Sequence, residues 1–201
     1  MLFRSFVSIS TECPYTQFDV AILLDSSGSI NHARKENFQI MKDFIKGMVK
    51  SFIIGENKTN VALATFSSLG YFRIRFDFTT YFKPAQLLHA IQNVPYDGGL
   101  TYTADALTNV RLQLFPRARS GVPHILIVLT DGRAHDHVTS PAKRLRDMGV
   151  HIISVGVGYT DYQELGDMAT DPDSEIVFTA SFDSVVNLTG SILEDVCKGN
   201  T

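Results

Sequence analysis

No stretch of this 201-residue sequence is apolar for long enough to cross a bilayer as a helix. The longest runs, Val20 to Leu24 and His124 to Leu129, fall far short of the ~20 residues needed. A basic field is missing too: 18 Lys and Arg stand against 21 Asp and Glu, for a formal net charge of −3, and no cationic cluster is present to concentrate a polyanion. Membrane insertion and a nucleic-acid partner are therefore not expected. There is no internal repeat and no low-complexity linker, and a chain of this length suits one hydrophobic core. Cysteine is scarce, with Cys13 and Cys197 just outside the first and last recognisable elements. A bridge between them would close nearly the whole domain into a ring and fits an oxidising, secretory compartment; two separate free thiols are the alternative. Two N-glycosylation sequons, Asn57-Lys58-Thr59 and Asn187-Leu188-Thr189, are compatible with that compartment. Residues 1–12 read as a leader remnant or an appended extension, the folded domain as 13–197, and 198–201 as a tail.

What is present is an alternation of strand and helix signals. Phe18 to Leu24 is a continuous apolar run closed by Asp25-Ser26-Ser27-Gly28-Ser29, the pattern of a strand buried on both faces and then a polar turn. Apolar residues spaced by three and four predict a helix from Asn31 to about Lys50, with Asn31 as its cap. Val61 to Phe66 and Tyr71 to Phe76 predict a hairpin whose second, charge-alternating member is an antiparallel edge. Helices over Pro84 to Val94 and Tyr102 to Phe115, a strand from His124 to Leu129, a helix from Pro141 to Met148 and a strand from Val150 to Val157 follow. A helix around Asp161 to Ala169, a short strand at Glu175 to Thr179 and a helix from about Phe182 to Val196 complete the pass. The expected fold is α/β: a doubly wound, mostly parallel six-stranded sheet with one antiparallel edge strand and helices on both faces.

In such a sheet ligands bind beyond the carboxyl ends of the strands where the strand order reverses. For the order 3-2-1-4-5-6 that point lies between the strand ending at Asp25 and the strand ending at Asp131, so two carboxylates meet. Ser27 and Ser29 in the D-x-S-x-S loop, and Thr101 in the Gly98-Gly99-Leu100-Thr101 loop, add hydroxyls. Every candidate ligand is an oxygen, which a hard divalent cation prefers.

D-x-S-x-S after the first strand, G-G-x-T before a helix and T-D-G after a later strand resemble the metal-ion-dependent adhesion site of von Willebrand factor A and integrin inserted domains. The resemblance runs from about Phe18 to Cys197. It implies that one Mg²⁺ or Mn²⁺ is held by Ser27, Ser29 and Thr101 through hydroxyls and by Asp25 and Asp131 directly or through water, with a partner's carboxylate completing the shell. Leu100, Tyr102, Arg133, His135 and Asp136 surround these positions and are candidate partner contacts. The function implied is that of a secreted, extracellular-matrix protein-binding module, monomeric in isolation and not an enzyme, with collagen among the candidate partners.

His135-Asp136-His137 invites a transition-metal site, but no further Cys or His ligand is evident. A metal-assisted hydrolase lacks an organised base, and there is no G-x-S-x-G elbow. A cell-surface receptor domain of the integrin kind is the binding alternative. Against it, Val157-Gly158-Tyr159-Thr160-Asp161 leaves no room for the extra helix of collagen-binding inserted domains, and Arg133 follows T-D-G where those domains often carry Glu. In integrin inserted domains the final helix moves to change affinity; a Cys13–Cys197 bridge would restrain it here.

Overall fold

Strand β1 (Asp19–Asp25) is buried at all seven positions because it has a strand on each edge and a helical layer on each face. The computed structural model describes residues 17–32, 34–170 and 177–198; the expected leader, Cys13 and the end of the tail lie outside them. Strands β2 (Asn60–Phe66), β3 (Phe72–Phe76), β4 (His124–Thr130), β5 (Val150–Val157) and β6 (Val177–Ala180) complete one six-stranded sheet of order β3-β2-β1-β4-β5-β6. Only the β2–β3 pair is antiparallel among these. The expected order and edge are thus both found, as is the α/β doubly wound class.

Side-chain alternation on β1 divides the core. Val20, Ile22 and Leu24 pack towards α1 (Asn37–Val49), α2 (Pro84–Gln92) and α6 (Thr189–Lys198). Ala21 and Leu23 face α3 (Thr103–Asn109), α4 (Thr139–Arg146) and α5 (Tyr162–Met168). Burial on both sides is what the unbroken apolar runs of β1, β4 and β5 encode.

Several boundaries differ from expectation for local physical reasons. Helix α1 starts at Asn37, not Asn31. The Asn31 side chain nonetheless accepts the Phe38 N–H at 3.0 Å, capping the helix across an intervening turn, and the Asn37 amide anchors that turn by donating to the Ile30 carbonyl at 2.8 Å. The helix expected through Phe115 is α-helical only to Asn109. It widens into a π turn over Val110–Leu114 and closes in a 3₁₀ turn, Phe115–Arg117, containing Pro116, which has no N–H to continue the ladder. Helix α4 begins two residues before Pro141, which then occupies the first turn where a missing N–H costs nothing. The final helix is preceded by a 3₁₀ turn, Val185–Leu188. The strand expected at Glu175 is described from Val177, since residues 171–176 lie outside the described set.

Register fixes the working end. Leu24 pairs with Thr65 on one side and Leu129 on the other, so β1, β2 and β4 finish level. The loops after them therefore share one face of the molecule.

Candidate metal centre

A fully buried carboxylate must be paired or protonated, and Asp25 has no exposure at all. One of its oxygens accepts the Ser27 N–H at 2.8 Å and the other the Thr130 hydroxyl at 2.6 Å. Burial pushes its pKa up against those hydrogen bonds. From the Asx-like turn so formed, the Ser27 and Ser29 hydroxyls lie 3.0 Å apart, and Ser29 donates to Asp131 Oδ1 at 2.8 Å. Asp131 is pushed up to about 6, first by burial and further by the charge of Asp25, against the hydrogen bond from Ser29. Thr101 is brought to the same place: a methyl-sized group on Gly132 would sit 3.6 Å from both the Ser29 and the Thr101 hydroxyl. All five oxygen-bearing side chains read from the sequence are therefore gathered beyond β1 and β4.

The Gly-rich loop is sewn to the first loop by backbone. Gly98 N–H donates to Ser26 O and Gly28 N–H to Gly99 O, each at 2.8 Å. Tyr96 donates its hydroxyl to Ser27 O at 3.0 Å, and Ser26 accepts the Asp97 N–H at 2.7 Å. Gly99 has φ +102°, and a Cβ there would meet the Ser68 hydroxyl at 2.5 Å, so the close approach depends on glycine.

The candidate partner contacts are placed less uniformly. Leu100 and Arg133 are exposed on the rim, and Arg133 Nε stands 3.5 Å from Asp161. His135 stacks on Tyr102, with ring centroids 5.5 Å apart, and its backbone N–H donates to Thr101 O at 2.8 Å. Asp136 accepts the Ala104 and Asp105 N–H groups at 2.9 and 2.8 Å, capping α3. His135 and Asp136 thus fix the Thr101 loop to the T-D-G loop, and they do not converge with His137 on one point. Among the described residues no group of three or more His, Cys, Asp or Glu is placed to hold a metal. Nor, among the described residues, is an imidazole hydrogen-bonded to Ser27 or Ser29.

Sequence reasoning missed the support beneath the Gly-rich loop. Asp97 accepts hydrogen bonds from Tyr71 (3.0 Å) and Thr65 (3.1 Å) and pairs with Arg75, tying the loop to the β2–β3 hairpin. The available signal was an Asp directly before Gly98-Gly99 and an Arg on an otherwise half-buried edge strand. Glu164 was missed as well: both its oxygens lie 3.0 Å from the Ala134 N–H, and burial raises its pKa.

A family model for the von Willebrand factor type A domain matches residues 19–190. The chain belongs to the von Willebrand factor type A domain family. Curated relatives include the collagen alpha-1(XII) chain of Notophthalmus viridescens, 33% identical over 186 residues covering 90% of this chain and 20% of its own. Human cochlin is 31% identical (92% and 33%), and chicken matrilin-3 is 31% identical (95% and 43%). The chain thus spans a fifth to under half of the length of these relatives. Among solved structures, the proximal thread matrix protein 1 of mussel byssus, with a zinc-occupied MIDAS motif, has a TM-score of 0.84 at 33% identity, covering 92% of this chain and 46% of its own. The manganese-loaded TRAP protein of Plasmodium vivax, at 20% identity and TM-score 0.71 (86% and 72%), shares the fold. A divalent-cation site in this von Willebrand factor A domain fits both its gathered oxygen-bearing side chains and the zinc-occupied mussel protein.

Proposed function

We propose that this domain is a secreted extracellular-matrix module, monomeric in isolation, that binds a protein partner through a single Mg²⁺ or Mn²⁺. Asp25, Ser27, Ser29, Thr101 and Asp131 would hold the ion, and an acidic side chain of the partner would complete its shell. The observation that carries this reading is the gathering of two carboxylates, both held above their ordinary range, with three hydroxyls at the carboxyl ends of adjacent parallel strands. Such a site gains when positive charge arrives. Hard-oxygen donors with only two carboxylates suit an ion that keeps some of its water, which favours Mg²⁺ and Mn²⁺ over softer metals. The bound ion supplies a Lewis-acidic position for an outside carboxylate; the protein's own residues orient it and keep the surrounding loops fixed.

The matrix-protein relatives support the extracellular setting. The decisive experiment is calorimetric titration with Mg²⁺ and Mn²⁺, paired with binding to an array of immobilised matrix proteins with and without EDTA. Chelator-sensitive binding that Asp131→Ala abolishes is the expected result. Partner binding that persists unchanged in EDTA would overturn it.

A further inference from the structure

Single exposed apolar residues are ordinary on protein surfaces, but those around the cation site are held outward by fixed backbone. Leu69 is 67% exposed and Leu100 50%. The Leu100 N–H donates to Ser68 at 3.0 Å, which sets the two leucines on neighbouring turns, and Gly70 N–H is held by Asp105 at 3.0 Å. On the other side Tyr159 is fully exposed and Tyr162 is 60% exposed. Gly158, with φ +89°, donates its N–H to Ala180 O at 2.7 Å, and Asp161 caps α5 through the Gln163 and Glu164 amides. The backbone beneath each pair is already fixed, so only the side chains, and not their loops, have to be ordered when something docks there.

Sheet order sets their spacing. Leu69 follows β2, Ser27 and Ser29 follow β1, Asp131 follows β4 and Tyr159 follows β5, and these four strands are consecutive in the sheet. With neighbouring strands ~4.8 Å apart, the outer loops stand roughly 14 Å apart with the cation site midway between them. An extended peptide advances ~3.3 Å per residue, so it reaches from the centre to either side in about two residues, and side chains two apart point the same way.

Resting on the cation site proposed above, we infer that the partner presents an extended segment with an acidic residue at its centre and a large apolar residue two positions to each side. The carboxylate meets the ion, one apolar side chain packs on Leu69 and Leu100, and the other packs on Tyr159 and Tyr162. The segment lies across the strand ends, perpendicular to the strands.

The test uses immobilised alanine nonapeptides with a central Glu and a pair of Phe at one, two or three positions on either side, read in Mn²⁺ and in EDTA. The two-position pair should bind at least about tenfold more tightly than the one-position pair, as expected where buried aromatic anchors carry an interface. Leu69→Ser and Tyr159→Ser should each remove most of that advantage while leaving calorimetric Mn²⁺ affinity unchanged. Equal binding of all spacings, no binding of any peptide, or wild-type behaviour of both variants would overturn the inference. Spacing preference that survives EDTA would sink the cation reading and leave the surface standing, whereas EDTA-sensitive binding without spacing preference would sink only the surface.

Discussion

At the level of single side chains, the cation site is a place where protons and metal compete. Asp131 has its pKa raised to about 6 by burial and by the nearby charge of Asp25. Below that pH an incoming ion must displace a proton, so Mn²⁺ affinity measured by calorimetry should fall about tenfold between pH 7 and pH 5. The sign for stability is opposite in the metal-free protein. A carboxyl that holds its proton more tightly when folded penalises the fold fully above its folded pKa, and the penalty vanishes below the ordinary value of 3.8. The metal-free domain should therefore gain stability as pH falls from 6 to 4, by on the order of 1 kcal/mol after solvent screening, and Asp131→Asn should flatten that rise. Removing the charge altogether tests the site directly: Asp131→Ala should weaken Mn²⁺ by roughly a hundredfold or more, since one carboxylate near a cation contributes up to about 4 kcal/mol at a partly screened site. Gly99→Ala is a geometric counterpart. Its φ of +102° and the 2.5 Å approach to Ser68 predict a loss on the order of 1–3 kcal/mol in thermal unfolding.

Elements whose burial is written in their own residues were legible, and elements set by distant partners were not. Strands β1, β4 and β5 follow from unbroken apolar runs because both their faces are covered. The meeting of the five oxygen-bearing side chains was legible because three short motifs, each on the expected turn, carry them. The start of α1 was not, because Glu36 makes no side-chain cap and Asn31 reaches Phe38 from seven residues away. The Asp97 network escaped for the same reason: its partners Thr65, Tyr71 and Arg75 lie 32, 26 and 22 residues away and meet it only once the hairpin has formed. Another such long-range tie holds the opposite end of the sheet. Arg119 donates from its side chain to Asp19 at 2.7 and 2.9 Å and to the Phe18, Glu56 and Lys58 carbonyls, while its N–H donates to the second Asp19 oxygen at 2.6 Å. Asp19 is fully buried, so Arg119→Met should strand a charge and cost about 3–5 kcal/mol. Calorimetric melting should fall by roughly 10 °C, given ~2–4 °C per kcal/mol for a domain of this size, with Mn²⁺ affinity little changed because the tie sits at the far pole.

Over the whole molecule, the cation face and the end of helix α6 occupy opposite poles. Helix α6 runs from the cation end towards the start of β5, where Asp195 meets His151 at 3.2 Å, and Cys197 beyond it is disulfide-bonded. We take the partner to be Cys13, which closes a loop of 197 − 13 = 184 residues. On the chain-entropy view that closure contributes up to about 5 kcal/mol, reduced by any strain in the native bond. The bond matters more for α6 than for the rest of the fold, because among the described side chains of this helix only Ile192 and Val196 are fully buried. Ile192→Ala should cost about 2–5 kcal/mol by leaving a cavity, but with the disulfide intact the helix stays tethered at its end. The oxidised Ile192→Ala domain is therefore expected to melt lower while its Mn²⁺-dependent partner affinity shifts by less than about threefold. The double variant Cys13→Ser with Cys197→Ser should melt at least about 5 °C below the parent, and amide exchange should accelerate along α6 before it does in β1 or β4. A melting point unmoved by the double variant would show that no Cys13–Cys197 bridge stabilises the domain. A large affinity gain from Ile192→Ala in the oxidised protein would show instead that α6 is free to move and that the ion's partner reads its position.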